Sequence, residues 1–416
     1  MKRGWIQLTI FYFLLTAVSG VLMRSSALLS WPSFDYSHFL HAHSHLALLG
    51  WVYMALFLLF LEWFTNESEV NRLQLKWLYG LTQLTVMGIF ISFSLQGYAF
   101  FSILFSTLQI LLSYWFVGWA WKQLNRKSNG NRLRQASHLF VKGSLVCLVV
   151  SSTGPWLLAY LSANDLKEIP LYDAAIYFYL HFQYNGWFTL GLFGILLRIL
   201  EKKQINVSNK TIKLVFRLYV GSLLPAFLLS VLWLQPGIGW TILAAIAAIV
   251  QWLSIILYVN VLIRLRSSLK RVFEGWARLL LILAMAIVGV KATLELGSAL
   301  PALTALIYNS RSVVIGYLHL TLLGFVSLLC LALFLHLGWL NGRSRWSQIG
   351  LAIFLLGFGM NELVLFLEGL FDWRGLGALA YSQEWLWAAS MGMAIGIGML
   401  RTKGNRGRKS RDESFT

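Results

Sequence analysis

The stretches His45-Leu-Ala-Leu-Leu-Gly50-Trp51, His181-Phe-Gln-Tyr-Asn-Gly186-Trp187 and His319-Leu-Thr-Leu-Leu-Gly324-Phe325 share one pattern: a histidine, four residues, a glycine and a large aromatic. The histidines are separated by 136 and 138 residues. Each stretch sits inside a long apolar run. An evenly spaced, tripled phrase indicates three copies of one structural unit, and internal repeats outrank most other sequence signals. An ionisable residue within a membrane span is a functional-site hypothesis by default.

Composition sets the medium. The chain has 416 residues, 58% of them hydrophobic and 12% charged. Soluble domains carry about 25% charged residues, so the polar surface is too small to cover a soluble globule. Apolar runs recur that are long enough to cross a hydrocarbon core of about 30 Å. In lipid these must be helices, because open backbone finds no partner there. The expected fold is an all-α polytopic membrane protein with twelve spans. They are 5–29, 40–64, 75–95, 99–122, 138–162, 172–199, 212–234, 238–264, 275–299, 311–337, 346–369 and 383–400.

The net charge of +18 does not point to nucleic acid. Its Lys and Arg gather in alternate loops, at Lys122, Arg126, Lys127, Arg132 and Arg134, at Lys202, Lys203, Lys210 and Lys213, and at Arg264, Arg266, Lys270 and Arg271. The basic tail of 401–416 continues the pattern, whereas Gln235-Pro236-Gly237 and the Asp165 to Asp173 loop are poor in positive charge. The positive-inside rule puts both termini in the cytoplasm, and the expected location is a bacterial inner membrane. The first apolar run is too long for a signal h-region and reads as a retained span. Cys147 and Cys330 lie in spans, so no disulfide framework is indicated.

The whole chain reads as one membrane domain of three quasi-repeats, about 1–136, 137–271 and 272–416, each holding four helices. The expected arrangement is a pseudo-threefold one. The tripled phrase falls on helices 2, 6 and 10, which run in the same direction. At 1.5 Å per residue the three histidines lie roughly 8–14 Å below the outer surface. Imidazole is a good ligand for haem iron, copper and zinc. Around helix 2 the chain reads His38-Phe-Leu-His41-Ala-His43-Ser-His45. His41 and His45 are four residues apart and share a helix face. His43 lies about 200° from His45 at 100° per residue, so the pair addresses two opposite flanks. His41, His43, His45, His181 and His319 are the candidate metal ligands. The plain alternative is that each imidazole is a satisfied packing residue. The glycine of each phrase lets either a neighbouring helix or a flat macrocycle approach the backbone. Lys291 and Glu295, one turn apart in helix 9, are expected to pair with each other.

Twelve helices with histidines on helices 2, 6 and 10 resemble the catalytic subunit of haem–copper oxidases. The local phrases look closest to nitric oxide reductases and C-family cytochrome oxidases. His43-Ser-His45…Gly50-Trp51 is similar to a stretch those proteins carry on helix 10, Gly316-Tyr317-Leu318-His319 holds the helix 10 position itself, and Tyr179-Leu-His181 looks like their helix 6 phrase. The resemblance implies a low-spin b-type haem with His45 and His319 as axial ligands. It implies His181 as a copper ligand and Arg374 as a partner of the haem propionates, with Arg24 and Arg311 as further outer-face candidates. It implies an oxidoreductase, reducing oxygen or nitric oxide if active, with a quinol or cytochrome donor and further membrane subunits as partners. Two departures bear on this. Helix 7 carries none of the family's copper-ligand histidines, and Tyr317 stands where a second helix 10 histidine binds the high-spin haem. Copper therefore loses its usual site, while a second haem or a metal could lie near His43 and His181. No Cys-x-x-Cys-His attachment motif is present, so the haem would be non-covalent. The rival readings are a transition-metal transporter whose path is lined by His41, His45, His181 and His319, and a structural subunit that binds nothing.

Overall fold

The computed structural model describes residues 3–29, 31, 34–66, 71–126, 136–300, 303–304, 306–307 and 310–403. Most of the first basic loop and all of the tail beyond Lys403 lie outside the described residues. Among those described, the chain is helical throughout, with no strand. In chain order the long helical segments are α1 (Arg3–Leu29), α2 (Tyr36–Phe64), α3 (Arg72–Gln96), α4 (Phe100–Asn125), α5 (Ala136–Ala163), α6 (170–202), α7 (Asn209–Leu234), α8 (Ile238–Arg264), α9 (Gly275–Gly297), α10 (Arg311–His336), α11 (Arg345–Arg374) and α12 (Ser382–Gly398).

Ten of these are long and apolar enough to cross a membrane, as an integral membrane protein requires. The expected spans 172–199 and 383–400 fall outside that set. The first holds the polar Gln183 and Asn185, both buried in α6. The second corresponds to α12, only 17 residues long.

Local chemistry sets the ends. The Asp35 carboxylate accepts from the His38 amide at 3.0 Å and starts α2. Asn71 caps α3 by accepting from the Leu73 and Gln74 amides at 3.1 Å. Pro170 opens α6, where its missing N–H costs nothing. Pro225 lacks an N–H inside α7, and from Phe227 the segment tightens to a 3-10 helix.

Helices α2 and α10 are central: 72% and 67% of their apolar windows are buried, against 28% for the peripheral α4. The glycine-following aromatics join α2, α6 and α10 to one another. Trp51 donates its indole N–H to Ser327 Oγ at 2.7 Å, linking α2 to α10. Tyr53 meets Trp187 at 6.1 Å between ring centres, and Phe193 meets Phe325 at 6.0 Å. Trp51, Trp187 and Phe325 are all fully buried. Large apolar side chains such as Leu95, Phe100, Ile238 and Leu356 are exposed on the perimeter, which suits a lipid environment.

Each tripled phrase forms the same unusual backbone. The residues just after His45, His181 and His319, namely Leu46–Val52, Phe182–Phe188 and Leu320–Ser327, are π-helical. This i→i+5 turn is rare and concentrates at functional sites. Hydroxyls cap carbonyls of these widened turns: Tyr219 donates to Asn185 O at 2.8 Å, Ser144 to Trp187 O at 2.8 Å and Ser327 to Leu322 O at 2.6 Å. The glycines are there for neighbouring helices. A Cβ on Gly50 would stand 3.2 Å from Val86 of α3, one on Gly186 2.5 Å from Cys147 of α5, and one on Gly324 2.6 Å from Phe358 of α11.

The tightest helix pair is α11 with α12. A Cβ on Gly350 would lie 2.5 Å from Gly396 O, and one on Gly396 would lie 2.5 Å from Gly350 O. Close backbone approach through small residues is the usual way helices associate in lipid. Gly396→Leu should therefore destabilise the fold by about 1–3 kcal/mol, the usual scale of overpacking, and lower the melting temperature in detergent. Gly359→Ala, where an added Cβ meets nothing within 4 Å, should leave it unchanged.

Candidate functional site

The histidines of α2, α6 and α10 lie at the N-terminal ends of their helices, here called the histidine end. Packing differs sharply along the axis. Residues 51–61 of α2 and 324–334 of α10 are continuously buried. At the histidine end only Ala42 is buried between Tyr36 and His45, and nothing is buried between Arg311 and His319. Both helices therefore keep accessible surface at this end.

His43 points to α1. Its Nδ1 lies 3.0 Å from Thr16 O and 3.0 Å from Ser19 Oγ. A carbonyl only accepts, so Nδ1 carries the proton and Nε2 keeps its lone pair. Gly20 makes room for the ring, since a Cβ there would stand 3.2 Å from His43 Cε1. His45 points the other way, to α3. Its ring stacks on Phe93 at 4.5 Å, and its Nδ1–H donates to His41 O at 2.9 Å. His41 turns to the same flank, edge-on to Tyr98 at 4.6 Å.

His319 is close enough to His43 and Arg24 for their charges to interact. Its Nδ1 is buried with no hydrogen bond of full geometry, and the Ile315 carbonyl one turn back is the main-chain acceptor that acts on the ring. Of the α2 imidazoles, His45 is on the α3 flank, against Phe93, and His43 is the one whose charge interacts with His319. The helical period is the reason, because residues two apart face opposite ways.

Arg24 of α1 interacts electrostatically with His43, His319, Tyr36, Glu368 and Arg311. It makes no hydrogen bond or ion pair within 4 Å among the described residues. Glu368 already accepts from Ser312 Oγ at 2.7 Å. Arg311 donates to the Tyr36 hydroxyl at 3.0 Å, with its guanidinium 5.1 Å from that ring's centre. Arg24 is thus the guanidinium that interacts with the His43–His319 pair, and Arg311 lies near Arg24. Arg374 does not join them. It is exposed at the end of α11, 5.6 Å over its neighbour Trp373.

His181 has a different fate. Its Nε2 is 2.8 Å from Leu223 O, and its Nδ1 is 3.3 Å from Asn185 Nδ2. The carbonyl takes the Nε2 proton and the amide donates to Nδ1, so both nitrogens of a neutral ring are used. The switch of α7 to a 3-10 helix frees that carbonyl, because the Phe227 amide bonds to Leu224 O instead. Asn185 also donates to Glu295 Oε1 at 3.0 Å and accepts from Lys291 Nζ at 2.6 Å. Lys291 and Glu295 form an ion pair at 2.8 Å, and the Tyr317 hydroxyl donates to the same carboxylate. Among the described residues no group of three or more His, Cys, Asp or Glu converges to hold a metal ion. The five expected ligands are divided instead: His43 with His319, His41 with His45, and His181 within the ion-pair network.

Sequence reasoning reached the histidines and the Lys291–Glu295 pair. It missed Thr16, Ser19 and Gly20 as the seat of His43, and Asn185 as the hub of the network. The small and hydroxyl residues Thr16, Ser19 and Gly20 in an otherwise apolar span were the available signal.

Removing one partner of a buried ion pair leaves an uncompensated charge, at a cost of about 3–5 kcal/mol. Lys291→Met should lower the melting temperature strongly, and Lys291→Met combined with Glu295→Gln should recover most of the loss in the same assay. No family model matches the chain, and a search of curated proteins likewise finds no match.

Proposed function

We propose that this protein is an integral membrane haem protein that carries electrons through a b-type haem held between His43 and His319. One observation carries the reading: His43 and His319 are near enough for their charges to interact, His43 keeps Nε2 without a hydrogen-bond partner among the described residues, and the Arg24 guanidinium interacts with both. In this reading the resemblance to haem–copper oxidases holds in architecture, with twelve spans in three four-helix units. The histidine end faces outward, and both termini lie in the cytoplasm of a bacterial cell.

The residues suit the group. His43 and His319 offer one nitrogen each. The Thr16 carbonyl holds the His43 ring in one tautomer and raises the basicity of its free nitrogen, as outer partners of ligating histidines do. Arg24 and Arg311 suit the propionate carboxylates, which guanidinium binds as a fork. The haem, when bound, supplies reversible one-electron chemistry at its iron. The protein excludes water by the packed far halves of α2, α6 and α10, and so sets the dielectric.

His181 does not fit a second haem or copper, because both of its nitrogens are engaged and Lys291 places a cation in the same network. This favours electron transfer over the reduction of oxygen or nitric oxide. It also weighs against a metal path through His41, His45, His181 and His319. A quinol or a cytochrome is the natural electron donor, and further membrane subunits are compatible with the exposed perimeter.

Absorbance of the purified protein tests this. A sharp Soret band with split α and β bands on reduction is expected. His43→Ala and His319→Ala should each abolish the low-spin bands, while His181→Ala should retain them. Arg24→Gln should lower the reduction potential, because a nearby positive charge favours the reduced form. A colourless protein from haem-replete cells, or His43→Ala with unchanged bands, would refute the assignment.

A further inference from the structure

We propose that His41 and His45 form a second, separate site, binding one divalent transition-metal ion of the zinc, copper(II) or cobalt(II) type on the α3 flank of α2. The two are four residues apart, so both imidazoles project from one face of the helix. Their rings adjoin the same aromatic wall. His45 lies flat on Phe93, while His41 is 5.9 Å from Phe93 and 4.6 Å from Tyr98. They are near enough for their charges to interact.

The hydrogen bonding fixes what His45 can do. Its Nδ1–H is held by the His41 carbonyl at 2.9 Å, so Nε2 presents a lone pair and has no partner among the described residues. Ligating histidines typically have this arrangement, with the second nitrogen anchored to a backbone carbonyl or a carboxylate. The same bond argues against a proton relay. A proton arriving at Nε2 has no exit through Nδ1, whose acceptor is a main-chain oxygen. Neither nitrogen of His41 has a hydrogen-bond partner among the described residues. Two neutral imidazoles one turn apart make a bidentate chelate for a borderline ion, with water completing the coordination.

The approach to the site is built as well. His38 precedes His41 by three residues and His45 by seven, so Asp35, His38, His41 and His45 descend one side of α2. From His38 to His45 the helix rises about 10 Å. At the top, the Asp35 carboxylate is 3.5 Å from His38 Nε2 and half exposed. Gly97, at φ 60°, lets the His38 ring lie against the turn after α3, because a Cβ there would stand 2.5 Å from it. A carboxylate and an imidazole at the mouth suit capture of a cation, and the deeper pair suits its retention.

This inference does not rest on the haem reading, because the two sites lie on opposite flanks of α2. The test uses full-length, tag-free protein stripped with a chelator and titrated with copper(II). Electron paramagnetic resonance should show one tight equivalent with hyperfine coupling to two imidazole nitrogens. His45→Gln and His41→Gln should each weaken copper binding at least tenfold and leave one coordinated nitrogen, with the Soret band unchanged. His43→Ala should retain the copper signal. A wild-type spectrum without two nitrogens would overturn the proposal whether or not the variants fold. Copper binding indifferent to both substitutions, or loss of the haem bands in His45→Gln, would overturn it as well.

Discussion

Each imidazole here is governed by what its second nitrogen meets. A main-chain carbonyl can only accept, so it fixes the proton on whichever nitrogen faces it and leaves the other as a base. Thr16 O does this for His43, His41 O does it for His45, and Leu223 O does it for His181. The outcomes diverge at the remaining nitrogen. For His43 and His45 it is left without a partner. For His181 it meets the Asn185 amide, and the ring becomes part of the packing. His45 and His181, equivalent in sequence, thus separate: one keeps an open nitrogen, as His43 does, and the other becomes a structural group.

The region around His181 shows how a membrane interior accommodates charge. Lys291 is almost fully buried, yet its ammonium meets both Glu295 and Asn185. Asn185 divides its two N–H donors between Glu295 and His181 and gives its oxygen to Lys291. Tyr317 adds a fifth participant. Such a network is stable only while every member is satisfied. It joins α6, α9 and α10, and it leaves no open nitrogen in the space between them.

Much of the helical layout was legible in the chain. Apolar run length and alternating loop charge gave the segments, because lipid permits few alternatives. The His-x-His spacing announced two flanks, since the helical period is fixed. The choice of flank was not legible. It depends on Ser19 and Gly20 of α1 and on Phe93 of α3, residues that reach α2 only through tertiary packing. The role of His181 was hidden for the same reason: the carbonyl that captures it is freed by a change of helix type around Pro225, a helix away. The π-helical turns were also invisible, although the repeated glycine marks where neighbouring side chains crowd against them.

Those wide turns have a consequence for how such a helix can change. A π segment amounts to one extra residue lodged in an otherwise regular spiral. Closing Leu46–Val52 to the ordinary pitch with every residue kept would rotate everything before it by about 100° relative to the packed far half. The rings of His41, His43 and His45 would swing together into new neighbourhoods. The surplus residue in each of α2, α6 and α10 therefore acts as a phase offset, holding the upper part of the helix in register with its surroundings while the lower part stays locked in the core.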